Sequence, residues 1–97
     1  MPNDKALTVT VKLFGRLREL VGSSSISVFL PPPATVTDLL AELRQHFPKL
    51  YEKLQPGLTE GYLNVLVNGR NSRFLDGFNT PLSNDATIAF LPPVGGG

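Results

Sequence analysis

The sequence contains no cysteine, no tryptophan and a single histidine, His46, among its 97 residues. Without cysteine there can be no disulfide, thiolate metal site, cysteine nucleophile or protein persulfide within the chain, so any sulfur chemistry must use another atom. One histidine cannot build the usual imidazole-centred triads or zinc constellations, which disfavours an autonomous hydrolase; no metal site is expected. Charge of one sign is also missing. Nine Lys+Arg stand against eight Asp+Glu, a formal +1, too weak a field to recruit a phosphate backbone or an anionic membrane. Neither nucleic acid nor membrane is an expected partner. No run approaches the ~20 apolar residues of a membrane span, and Met1 to Lys12 alternates instead of forming the apolar stretch of a signal peptide. A soluble, cytoplasmic protein is the expectation. P-loop and dinucleotide fingerprints are absent as well.

What is present suits one core. At 97 residues, 41% hydrophobic and 18% charged, the chain has the length and apolar content of a single folded domain spanning 1–97. Leu7, Val9, Val11 and Leu13 alternate with Thr8, Thr10 and Lys12, the period of a half-buried strand. Phe14 follows Leu13 directly, so one of the two faces outward at the strand end. The Gly15 to Ser25 stretch, with two glycines and three serines, reads as a connection. Ile26, Val28 and Leu30 then resume the alternation in a second strand, which Pro31, Pro32 and Pro33 end.

Thr35 with Asp38 three residues on reads as a helix N-terminus. Val36, Leu39, Leu40, Leu43 and Phe47 then recur on one helical face until Pro48. The stretch 49–61 stays unassigned, with Pro56-Gly57 speaking for a break and Leu50, Tyr51 and Leu54 for another short turn. Leu63, Val65 and Val67 predict a third strand, and Asn68-Gly69 a type I′ hairpin with Phe74 and Leu75 on the returning arm. Ala86, Ile88 and Phe90 supply the last strand. Two strands, a helix, then two or three strands predict an α+β fold of the β-grasp, or ubiquitin-like, kind: a mixed sheet of four to five strands with one main helix across one face.

The end of the sequence carries the chemistry. After Phe90 it reads Leu91-Pro92-Pro93-Val94-Gly95-Gly96-Gly97. The prolines stiffen the exit from the last strand, whereas 94–97 form a flexible tail whose glycines lack the Cβ that would obstruct a narrow channel. The Gly97 α-carboxylate, ionised at neutral pH and unhindered, is fit to attack the α-phosphate of ATP in a partner's active site. A sulfur nucleophile displacing AMP would leave a thiocarboxylate. The bland alternative is a frayed end or an expression scar; the preceding strand, the Pro-Pro pair and the grasp-like order favour the chemical reading.

Lys12-Leu13-Phe14, the run Leu17 to Gly22, the helix Thr35 to Phe47, Val67-Asn68, Thr80-Pro81-Leu82 and, most specifically, Ala89 to Val94 ahead of Gly96-Gly97 closely resemble the MoaD family. These are the small subunits of molybdopterin synthase within the MoaD/ThiS group of ubiquitin-like sulfur carriers. The resemblance covers nearly the whole chain. It implies that Gly97 is adenylated by a MoeB-like activating enzyme, which uses ATP, while the chain itself binds no cofactor. Gly97 then carries sulfur as a thiocarboxylate, and Gly95 and Gly96 permit insertion into a MoaE-like large subunit that passes the sulfur to cyclic pyranopterin monophosphate. Partner contacts are implied for Phe14, Leu75, Leu91, Pro92, Pro93 and Val94.

Three departures bear on this reading. Leu91 stands where the family often has Phe, Gly95 lengthens the flexible end, and the hairpin from Asn68 to Pro81 is longer than in the shortest members. Long hairpins fit archaeal MoaD-like proteins that resemble small modifier proteins, so conjugation to lysines through the same glycine is the second reading. A structural interaction module with an incidental tail is the third, and a thiamin-pathway carrier a lesser variant of the first. Phe14, Leu75 and Leu91 form either an exposed apolar docking patch or ordinary core. His46 ends a polar helical face and reads as solvated, as do Arg70 and Arg73 on the hairpin.

Overall fold

The computed structural model describes residues 6–91. The alternation of the first segment forms β1 (Leu7–Lys12), whose Val9 and Val11 are fully buried. At its end Leu13 turns inward and Phe14 outward, the latter 48% exposed. The stretch from Gly15 to Ser25 is more than a connection: it contains α1 (Gly15–Val21). Leu17 and Val21 lie one helical turn apart and pack against the core, while Gly22, at φ 83, closes the helix by donating its N–H to the Arg18 carbonyl. A short helix between two punctuating glycines has too few periodic residues to stand out in the sequence.

β2 (Ser25–Leu30) returns antiparallel to β1, and after the three prolines β3 (Ala34–Thr35) leads into α2 (Val36–His46). The Asp38 carboxylate accepts from the Thr35 N–H at 2.8 Å and its hydroxyl at 3.1 Å, fixing the start of α2 with an anion at its positive end. Val36, Leu39, Leu40 and Leu43 are buried as their spacing requires. Pro48 ends that helix and opens another at its first position, where a missing N–H costs nothing. This is α3 (Pro48–Glu60), 13 residues long, and it settles the stretch that the sequence leaves unassigned. Leu50 and Leu54 of α3 are buried in the same core as the apolar face of α2, against which α3 packs.

β4 (Asn64–Val67) buries Val65 and Val67 and turns through Asn68 (φ 51) and Gly69 (φ 82), the two positive-φ residues of the expected tight turn. The returning strand is shorter than expected. β5 (Arg70–Asn71) has two residues, and Phe74 and Leu75 lie beyond it: Ser72–Phe74 and Gly77–Asn79 are 3-10 turns. Asn71 causes the change by accepting the Arg73 N–H at 3.0 Å, which curls the chain off the ladder. β6 (Pro81–Leu82) pairs with β3, and β7 (Ala86–Leu91) completes a mixed sheet ordered β2-β1-β7-β4-β5. Only β1 and β7 run parallel within it. This is the β-grasp arrangement. Among the described residues no helix is long and apolar enough to cross a membrane.

Candidate functional site

The strand that delivers the tail is the centre of the sheet. β7 lies between β1 and β4, and its residues alternate strictly, Ala86, Ile88 and Phe90 being at most 1% exposed. Its start is fixed against β1: the Asp85 N–H donates to the Thr8 carbonyl and the Thr8 N–H to Asn84 Oδ1. Asn68 clamps its middle, donating its N–H to the Thr87 carbonyl at 2.8 Å and accepting the Thr87 N–H on Oδ1 at 2.8 Å. Phe90 is the last core residue before the tail and one of the largest fully buried side chains. The described residues therefore end on a strand paired on both sides, with β1 and with β4. Pro92, Pro93, Val94, Gly95, Gly96 and Gly97, the residues of the expected tail chemistry, lie outside the described residues.

Pleating puts Leu91 and Ala89 on the face of the sheet opposite the helices. Register extends that face: Leu66 pairs with Ala89 and Asn64 with Leu91. Phe14 and Leu91 lie two residues beyond the paired Lys12 and Ala89, at the same end of parallel neighbours. Phe14 keeps extended backbone, so its side chain follows that of Lys12 onto the open face. Phe14, Leu66, Ala89 and Leu91 thus form an apolar strip at the C-terminal end of β7, flanked by the exposed Lys12. Leu75 is placed elsewhere, partly buried against the core. The sheet position beside Leu66 is instead Asn71, whose Nδ2 donates to Asn64 Oδ1 at 3.2 Å.

Sequence reasoning therefore misses Leu66 and Ala89. Leu66 carried a signal: within Val65-Leu66-Val67 it is the apolar residue on the off-beat of the alternation, as Phe14 is after Leu13. Asn71 carried none, because its place depends on where the hairpin ladder ends.

His46 Nε2 lies 3.1 Å from Glu42 Oε2, one turn apart on the outer side of α2. No group of three or more potential metal ligands occurs among these residues. A groove between α1 and α3 is lined by Arg16, Leu17, Glu19, Leu20 and Lys53 and contains no such cluster.

Residues 11–97 match the model of the ThiS family. The chain is 35% identical over 92 residues to Small archaeal modifier protein 3 of Haloferax volcanii, covering 94% of this chain and all of that protein. It is 33% identical to the molybdopterin synthase sulfur carrier subunit of Escherichia coli, over 92% of this chain and 99% of that one. Among solved structures, small archaeal modifier protein 1 of Methanosarcina acetivorans superposes with a TM-score of 0.76 at 34% identity, covering 95% and 98% of the two chains. A chain from the complex of subunits 1 and 2 of the molybdopterin-converting factor of Helicobacter pylori gives 0.59 at 26% identity, covering 94% and 100%.

Proposed function

The chain belongs to the ThiS family of ubiquitin-like sulfur carriers, and from that premise we propose that it is the sulfur-carrier subunit of a molybdopterin synthase. The observation that carries the reading is the central strand β7, locked by Phe90 in the core and leading directly into Pro92-Pro93-Val94-Gly95-Gly96-Gly97. A rigid base with a thin end lets a partner bind the body while a distant active site receives the carboxylate. The Gly97 carboxylate attacks the α-phosphate of ATP in an adenylating partner, expelling pyrophosphate. A sulfide equivalent then displaces AMP and leaves a thiocarboxylate. In the synthase large subunit that sulfur passes to cyclic pyranopterin monophosphate, and water restores the carboxylate.

The chain's own share is binding and delivery. Phe14, Leu66, Ala89 and Leu91 offer an apolar docking strip whose desolvation supplies affinity, with Lys12 at its border. Both partners meet this strip in turn, because each must accept the tail that begins beside it. Gly95 and Gly96 pass the channel, and Pro92, Pro93 and Val94 contact its mouth. The reaction is set in the cytoplasm, where ATP is at hand.

A second reading has its own support: the full-length likeness to Small archaeal modifier protein 3. Here the same acyl-adenylate is attacked by a lysine amine, AMP leaves, and an isopeptide bond joins Gly97 to the target. Both readings require adenylation, which ATP–pyrophosphate exchange by the activating enzyme measures. The intact chain supports exchange and a chain lacking Gly96 and Gly97 does not; equal exchange by both would overturn the reading. Transfer of sulfur from the loaded chain to the pterin precursor by the large subunit, against glycine remnants on lysines, separates the two roles.

A further inference from the structure

The outer edge of β2 has the pattern of a self-pairing strand. Thr8 directs its N–H and carbonyl toward the β7 side, to Asn84 and Asp85. Alternate residues of a strand point the same way, so Thr10 and Lys12 do likewise. Their partners across the β1–β2 ladder are Phe29, Ser27 and Ser25, whose backbone groups must point away from β1, out of the sheet. β2 is the terminal strand on that side.

The two ends of this edge are closed. Ser23 Oγ donates to the Ser25 carbonyl at 2.7 Å and accepts the Ser25 N–H at 3.4 Å. Pro31, the next residue of the outward set, has no N–H to offer. Ser27 and Phe29 remain, and among the described residues no side chain or loop hydrogen-bonds their backbone groups. The usual guards of an edge strand, a charged side chain or a proline within it, are missing from Ser25-Ile26-Ser27-Val28-Phe29-Leu30. Phe29 is also 61% exposed beside this edge.

We infer that β2 pairs antiparallel with β2 of a second copy across a two-fold axis at Val28, joining two sheets into one. In this register Ser27 of each copy lies opposite Phe29 of the other, so the two N–H and two carbonyl groups left open on each edge meet in four hydrogen bonds. Moving the axis to Ser27 would require displacing the Ser23 cap, and moving it to Phe29 would call on the absent N–H of Pro31. Side chains stay matched by face: Phe29 lies over the partner's Ser27, Val28 meets its symmetry mate and Ile26 meets Leu30. β2 carries no charge, so two copies approach without repulsion between the strands, and the contact is isologous and closed. Four backbone hydrogen bonds of about 1 kcal/mol each make a modest contact, so the dimer is concentration-dependent.

Sedimentation velocity on the full chain over a dilution series tests this, together with amide NMR shifts over the same series. The expected result is a mass rising from 10.5 kDa toward twice that value, with the concentration-dependent shifts centred on Ser27 to Phe29. Ser27→Pro removes only an outward N–H, keeps the β1 ladder and should weaken association roughly thirtyfold by deleting two of the four bonds. Phe29→Lys, at an exposed position, should also hold the chain monomeric, and matching thermal unfolding verifies that both variants are folded. A wild-type chain that stays monomeric at every concentration overturns the inference, including the case in which the edge accepts only an extended segment of another protein. Shifts confined to the Phe14–Leu91 strip or to 72–79, or undiminished dimerisation of both variants, overturn it equally.

Discussion

Replacing Phe90 by Ala removes the side chain that fastens the tail-bearing strand to the core. Phe90 is fully buried in the middle strand of the sheet, with Val65 across the ladder on β4. Deleting a buried phenylalanine ring costs about 3–5 kcal/mol, because transfer energy is lost and a cavity is left that a β-sheet closes poorly. The whole fold is worth roughly 5–15 kcal/mol, so the loss is a large share of the total. At a urea m-value of about 1.5 kcal/mol/M, the unfolding midpoint falls by roughly 2–3 M with m unchanged. The control is the next residue. Leu91 points to the opposite face and is only partly buried, so Leu91→Ala should cost about 1 kcal/mol or less. A Phe90→Ala loss no larger than that of Leu91→Ala would refute the claim that β7 is anchored through its helix-facing side.

Three other expectations concern the site and its scaffold. Phe14→Ala, at a half-exposed position, should leave the unfolding midpoint nearly unchanged yet weaken binding of the activating enzyme and the synthase large subunit at least about tenfold in titration calorimetry, as loss of an aromatic anchor does. Asp38→Ala should cost about 1 kcal/mol in chemical denaturation, since the Thr35 N–H loses its acceptor and the start of α2 its negative charge. Gly57→Ala should destabilise although alanine is the better helix former by about 1 kcal/mol. A Cβ there would stand 2.7 Å from Leu63 Cβ, and overpacking of that kind costs about 1–3 kcal/mol. A stabilised Gly57→Ala protein would contradict the packing described for the end of α3.

Gly57 also explains why α3 was hidden in the sequence. Pro56-Gly57 looks like punctuation, but in α3 the glycine is a packing device: it is buried, leaves room for Leu63, and its carbonyl receives the N–H of both Gly61 and Leu63. Local propensity pointed to a break, and tertiary packing overrode it. The strands and α2 were legible because their burial follows a regular period along the chain, from Val9 and Val11 to Ile88 and Phe90. Phe14 stood out because it is apolar directly after Leu13, where the alternation calls for a polar residue, whereas Leu91 was named through the family resemblance alone. Leu75 was misplaced for a different reason: its position depends on where the β4–β5 ladder ends, which Asn71 determines by turning the chain after two residues. Leu66 and Ala89 became part of the strip only once strand order made them neighbours.

The central claim is that Gly97 is the reactive group, and the mass of the chain recovered from its own cells tests it most directly. The chain, tagged only at its N-terminus and purified without reductant, should carry one oxygen-to-sulfur exchange that fragmentation places on Gly97, and should co-purify with a larger non-covalent subunit. Covalent adducts through Gly97 to lysines of other proteins would put the modifier role first while keeping the same reactive atom. An unmodified carboxylate in every form recovered, with deletion of Gly96 and Gly97 changing neither partners nor phenotype, would contradict the account.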